Sequence, residues 1–286
     1  MKLADTNRFI YSPSDLSNFI HCKHLTSLDK QALNGDLDKP NYTNKVMLAL
    51  REKGQQFESS FLEILRLEGK SISIIEPGDP AAHEKTRKAI CEGVEVIYQA
   101  RLGKENEWWG WADFLIRVPQ PSDLGDYSYE VMDTKLAAET KAATIIQISL
   151  YSEALGEIQG KSPEMMWVKT PEDQIGYRVS EYAAYVRLVK KRFLDSVNQT
   201  DFTTYPEPVA HCEICTWWEV CNQKRRADDH LGFVAGMGKS QIKEVANLGI
   251  ETLENFARVE SPIPFKPSRG ATQTYQKLRD QANIQW

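Results

Sequence analysis

The hydrophobic positions of this chain change period several times along its length, and each change marks a passage between helical and extended structure. Residues 12–29 open with Ser and Asp at cap positions and read as a short helix that carries Cys22. A longer helix is expected over residues 44–67, where Leu50, Phe57, Phe61, Leu62 and Leu65 form one apolar stripe. Residues 71–75 alternate as a strand, and 81–101 read as a helix with Cys91 in its core face. Two strand-like runs follow, 108–118 and 127–137, separated by the turn-rich stretch PQPSDLGD. An amphipathic helix over 138–158, strands over 164–169 and 175–179, and a helix over 180–197 complete the pattern. An α/β sheet flanked by helices is the simplest architecture for that order.

Composition bounds the picture without deciding it. A chain of 286 residues, 41% hydrophobic, fits one large domain or one domain with a small appendage. The net charge of −5 argues against histone-like binding of nucleic acid, though a local basic groove remains compatible with it. No apolar run approaches the ~20 residues needed to span a bilayer, and the start MKLADTNRF lacks the apolar core of a secretory signal. A cytoplasmic chain with no membrane partner is expected. In a reducing compartment, clustered cysteines are more often metal ligands or redox groups than disulfides.

Candidate chemistry starts at Asp113 in GWADF and at the triplet Asp133, Thr134 and Lys135. If the two runs are neighbouring strands, the aspartates share one sheet end, and carboxylate oxygens suit Mg²⁺ or Mn²⁺. Asp133 and Lys135 are two apart, so on a strand they point to one face, with the ammonium placed to orient water and offset charge on a phosphate. Glu58 on the long preceding helix is the candidate third carboxylate, with Gly54 one turn earlier leaving room for close approach. Taken singly, an Asp two residues before a Lys is commonly a solvated strand edge, and a helical Glu is commonly exposed. Asp113 is harder to set aside, since an acid inside an apolar, aromatic strand needs a partner when buried.

Taken in order, these residues resemble the PD-(D/E)xK nuclease superfamily, in particular its RecB-like branch with the CRISPR-associated spacer-acquisition and AddB-type nucleases. The matching positions are Arg51, Gly54 and Glu58, then Asp113, then Asp133 and Lys135, then Gln147 and Tyr151 in QISLY. Two positions differ from many members, which have His in place of Glu58 and Glu in place of Asp133. The resemblance implies a restriction-endonuclease-like core, a mixed sheet flanked by helices. It also implies a Mg- or Mn-dependent deoxyribonuclease of exonuclease type, with Glu58, Asp113, Asp133 and the carbonyl of Thr134 on the metal. Lys135 would then assist the water, and Gln147 and Tyr151 would position the lysine or the DNA.

The cysteines form a split set: Cys22 near the start, and Cys212, Cys215 and Cys221 together far downstream. On spacing, zinc and iron–sulfur are both open, and a CxxC redox pair lacks its usual strand-to-helix setting. The RecB-like resemblance implies a 4Fe-4S cluster on all four thiolates, clasping the ends of a domain over residues 1–229. Residues 230–286 then form an all-helical appendage. There LGFVAGMGKSQIKEVANLGIETLENFA resembles a helix-hairpin-helix, with hairpin glycines Gly236 and Gly238, with Lys239 beside them, and with Gly249 opening its second part. Glycine at such a hairpin lets backbone amides approach a phosphate at a helix start. Lys224, Arg225 and Arg226 add a basic spot for a phosphate backbone. The expected substrate is DNA, as single strands or strand ends, with a helicase or exonuclease module as partner in the same or another chain. Two other readings are a non-catalytic DNA-binding module with vestigial carboxylates and a zinc-stabilised interaction domain.

Overall fold

A six-stranded mixed sheet organises the first of two units, Met1–Thr204 and Tyr205–Trp286, in this computed structural model. The structure describes residues 1–3, 8–41, 45–104, 107–199 and 202–286. In chain order the first unit holds β1 (Lys2–Leu3), β2 (Phe9–Ile10), α1 (Pro13–His21), α2 (Lys23–Asn34), α3 (Lys45–Leu67), β3 (Ile72–Ile74), α4 (Ala82–Cys91) and β4 (Val96–Gly103). It continues with β5 (Trp109–Val118), β6 (Ser128–Thr134), α5 (Ala142–Gln159), β7 (Met165–Lys169), β8 (Gln174–Arg178) and α6 (Val179–Val197). The sheet runs β3-β4-β5-β6-β7-β8. Its two parallel pairs, β3 with β4 and β6 with β7, are those joined through a helix, α4 and α5; the remaining neighbours are antiparallel. This is the expected mixed sheet flanked by helices.

Both faces of the sheet are covered. On one, α5 brings Ile145, Ile148, Tyr151 and Leu155 against Ala100, Leu115, Val131 and Val168. On the other, α3 packs Phe61, Leu62 and Leu65 on Val96, Phe114 and Met132. Helix α5 departs from the expected amphipathic pattern because much of its far side is buried too: Ile146 and Leu150 pack with Leu16, Phe19, Val186 and Phe193 from α1 and α6. Two of its serines bond back on their own helix, Ser149 to the carbonyl of Ile145 at 2.7 Å and Ser152 to that of Ile148 at 2.9 Å, while Glu153 and Glu157 are exposed. Among the described residues no helix is long and apolar enough to cross a membrane.

Four local expectations are corrected. The stretch 12–29 is two helices: Ser12 caps α1 in a capping box with Asp15, and Cys22 stands between α1 and α2 with extended backbone, φ −160°. The helix expected over 81–101 ends at Cys91, Gly93 follows at φ +70°, and β4 begins at Val96. Cys91 itself is exposed rather than core. The expected stripe of α3 is buried only at its C-terminal end, since Leu50 is exposed while Phe61, Leu62 and Leu65 are buried; the expected start at Asn44 lies outside the described residues.

The second unit contains α7 (Trp218–Ala227), and α8 (Lys239–Asn247), α9 (Leu253–Ala257) and α10 (Thr272–Gln285) around Val245, Phe256, Tyr275 and Ala282. It begins earlier than the expected 229/230 division. The segment ending at His230 is tied to the C-terminal helices: the Asp229 carbonyl accepts from the Leu253 N–H at 2.8 Å and its carboxylate from the Glu254 N–H at 2.7 Å. Tyr205 donates its hydroxyl to Asp228 at 2.9 Å. Three of the cysteines thus belong to the second unit and Cys22 to the first. The helical appendage is present, but Gly236 and Gly238 follow only a short 3₁₀ turn, Leu231–Phe233. The glycine that links two α-helices is Gly249, at φ +80° between α8 and α9.

Candidate active site

Strands β5 and β6 pair antiparallel with Phe114 opposite Met132, which sets Asp113 and Asp133 across from one another at the end of the ladder. Asp113 is fixed from the next residue on β6: its Oδ2 accepts the Thr134 N–H at 2.8 Å and the Thr134 hydroxyl at 3.0 Å. Lys135 continues the strand, its own N–H donating to the Lys169 carbonyl of β7 at 2.9 Å, and its ammonium forms an ion pair with Asp133.

Asp133 is 1% exposed, and apart from that ammonium neither of its carboxylate oxygens has a hydrogen-bond partner of ordinary geometry. Burial, and after it the charge of Asp113, push its carboxyl well above the usual aspartate range, against the pull of Lys135. Burial alone would lower the Lys135 ammonium, but Asp133, Asp113 and Glu58 together hold it above its ordinary value. Glu58 comes from α3, where the Gln99 amide donates to it; burial and then Asp113 push its carboxyl up. The phenol of Tyr98, also bonded to Glu58, is raised by burial and by that carboxylate.

These two partners on β4 were missed at the sequence level because the segment reads as helix. The signal was there: after Gly93, Val94, Val96, Tyr98, Ala100 and Leu102 alternate. The alternation is broken once. Gln99 has φ 57° and lies opposite Asp113, between the paired residues Tyr98–Phe114 and Ala100–Ala112. Ile97 and Leu115 on one side of the break, and Ala100 and Ala112 on the other, all enter the same core cluster, so both strands shift face by one residue there. The left-handed Gln99 and Asp113 are thus neighbours in one kink.

Tyr151 is buried on α5 with its hydroxyl within reach of the Gln147 side chain and the Trp111 backbone; burial raises its pKa, and Asp133 and Asp113 add to the rise. Both members of the QISLY pair therefore stand beside the carboxylates. Gly110 makes this possible, since a Cβ there would lie 2.8 Å from the Tyr151 hydroxyl oxygen and 2.9 Å from Pro13. Gly54 has no such role: nothing approaches within 4 Å of where its Cβ would be, and Arg51 is exposed.

The structure therefore brings Glu58, Asp113, Asp133, Lys135, Gln147 and Tyr151 to one end of the sheet. Among the described residues no group of three or more His, Cys, Asp and Glu side chains is gathered tightly enough to hold a metal ion. The buried, hydrogen-bond-deprived carboxylate of Asp133 is nonetheless the chemistry a hard cation satisfies, and Lys135 holds the positive charge beside it. Of the four cysteines expected to bind a cluster, three lie in the second unit. Cys215 and Cys221 are buried, and the Cys212 sulfur accepts the Val209 N–H at 3.5 Å.

The residues expected to touch phosphate divide. Gly236, Gly238 and Lys239 are exposed, Gly238 caps α8 and Lys239 is its first residue. Arg226 is exposed and stacks on Phe233 with 4.9 Å to the ring centroid. Arg225, by contrast, is 3% exposed.

No protein-family model and no curated protein matches the chain. Among solved structures the chain is similar to the crystal structure of SSO0001, at 12% sequence identity and a TM-score of 0.36, over 75% of this chain and 86% of that one. At that score the likeness carries no argument about fold or function.

Proposed function

We propose that this protein is a divalent-metal-dependent DNA nuclease that hydrolyses phosphodiester bonds in single strands or at strand ends, with a structural 4Fe-4S centre on Cys22, Cys212, Cys215 and Cys221. The observation that carries the nuclease reading is Asp133, a buried carboxylate across the ladder from Asp113 whose strongest partner is the Lys135 ammonium. Such a group is costly in a fold unless a cation completes it. Glu58, Asp113 and Asp133 would hold Mg²⁺ or Mn²⁺, with the Thr134 carbonyl as a further donor. When bound, the ion would polarise the phosphate and lower the pKa of an attacking water.

The chain's own groups do the rest. Thr134 anchors Asp113 through two hydrogen bonds, and Gln99 and Tyr98 anchor Glu58, so the carboxylates are pre-positioned. Lys135 stays protonated among three carboxylates and faces the negative charge that grows on a phosphate during attack. Gln147 and Tyr151 would position Lys135 or the DNA. Gly236, Gly238, Lys239 and Arg226 would meet the phosphate backbone.

The decisive experiment is incubation of end-labelled single- and double-stranded DNA with Mn²⁺, beside the Lys135→Ala variant. Cleavage by the wild type that disappears in the variant supports the reading. Equal cleavage by both, or none by the wild type with either metal, overturns it.

A further inference from the structure

The pairing of β5 with β6 begins at Phe114, whereas its pairing with β4 runs on to Trp109. Along the stretch that β6 leaves free, a cavity of about 380 Å³ opens between β5, α5 and the start of α1. Tyr11, Trp109 and Trp111 give it aromatic walls, Gln147 and Tyr151 supply an amide and a phenol, and the exposed Lys2 adds a cation. Both tryptophans are half-buried rather than sealed into the core. Trp109 gathers two cations, with the Lys2 ammonium 4.8 Å and the Arg101 guanidinium 4.4 Å from its ring centroid. The carboxylate on the lining, Asp15, is engaged by Ser12, whose N–H donates to it at 2.8 Å and whose hydroxyl donates at 2.7 Å.

The cavity adjoins the carboxylates without containing them. Tyr151 lies close enough to Asp133 and Asp113 for their charges to act on its phenol, and Asp113 follows Trp111 by two residues, about 7 Å further along an extended strand. A purely apolar ligand would leave the Gln147 amide and the cations unmatched. An unpaired nucleobase meets every part of the lining: its faces stack on aromatic rings, its edge bonds to an amide that both donates and accepts, and the phosphate attached to it carries the charge the cations attract. The space is that of one small-molecule site, so a base still paired in a duplex does not enter.

We propose that this cavity holds one unpaired base of the substrate strand, next to the phosphodiester that lies over the carboxylates, with Trp111 as the stacking surface. This rests on the nuclease reading above and gives it a substrate class. The strand must be single at that point, and because every base has a π face, the cavity selects unpaired nucleotides without selecting sequence.

The test uses the full chain in EDTA, where cleavage does not interfere, and short fluorescent single strands of equal length: oligothymidylate, and a strand built from abasic residues. The phosphates are the same, so the difference in affinity reads the bases. Wild type should bind oligothymidylate roughly tenfold more tightly. Trp111→Ala should erase that preference, and Trp111→Phe should keep most of it. Ser14→Trp, at an exposed position of the lining, fills the cavity from outside the core and should erase the preference too, so the proposal is tested even if Trp111→Ala does not fold. No preference in wild type, or an unchanged preference in either folded variant, overturns the base site. The nuclease reading is judged separately, by cleavage with Mn²⁺. Cleavage without base preference removes the base site and leaves the nuclease, whereas base preference without cleavage keeps a single-strand site and removes the nuclease.

Discussion

Asp113 and Lys135 bear on the proposed chemistry in different ways, and their substitutions should separate it from the fold. Asp113→Ala removes the acceptor of two Thr134 hydrogen bonds as well as a charge, while Lys135→Ala removes a half-exposed ammonium. Both variants should lose cleavage of end-labelled DNA by a factor of at least about 10². Their circular dichroism and iron content should stay at wild-type levels; full activity in either one rules out the assigned roles. Away from the site, Glu95 offers a test of acid stability. It accepts from the Ser71 backbone N–H and from Lys70, and these hold its carboxyl down to about 2 from 4.5. Its folded-state pKa is depressed, so its contribution is fully present above 4.5 and fades as the pH falls toward 2. Glu95→Gln should therefore narrow the gap in melting temperature between pH 7 and pH 3, and an unchanged gap would count against this anchor of β3 to β4.

At the scale of elements, Gly110 is the tightest constraint near the site. Adding a methyl group forces Tyr151 or Pro13 aside. Gly110→Ala should cost about 1–3 kcal/mol in urea unfolding and lower cleavage as well, by displacing Tyr151 from Gln147. Stability equal to wild type would show that Tyr151 has somewhere else to go. The legibility of the sequence also varied by element. Asp113, Asp133 and Lys135 could be found because they lie in runs that read as strands, so spacing translated into a shared location, whereas Gln147 and Tyr151 came only with the family resemblance. Tyr98 and Gln99 could not, because the helical stretch of α4 was carried past Gly93 into alternating residues. Helix α5 lies between the sheet and two helices, so its polar exposed stripe shrinks to Glu153 and Glu157 near its C-terminal end. Cys22 reads as helical from its neighbours, whereas its extended backbone is the break between two capped helices.

At the scale of the whole molecule, the four cysteines assigned to the cluster are divided between the units, with Cys22 in the first and Cys212, Cys215 and Cys221 in the second. A four-thiolate centre therefore makes a prediction that a local zinc knuckle of the second unit does not. Cys22→Ser and Cys221→Ser should lose iron to the same extent in parallel preparations. Full iron retention by Cys22→Ser confines the centre to the second unit. The 229/230 division missed this partition because composition marks where the chain becomes helical, whereas the boundary is set by long-range bonds such as Asp229 to Leu253 and Glu254.

Every residue of β6 is buried, and the strand lies in the interior of the sheet between β5 and β7. Its backbone amides should accordingly be among the slowest in the chain to exchange with heavy water, opening only when the first unit unfolds as a whole. The strand that presents Asp133 has no cheaper way to come apart. Heat inactivation and global unfolding should then be one event with one rate, and a variant that loses activity at a lower temperature will have lost the unit along with the site.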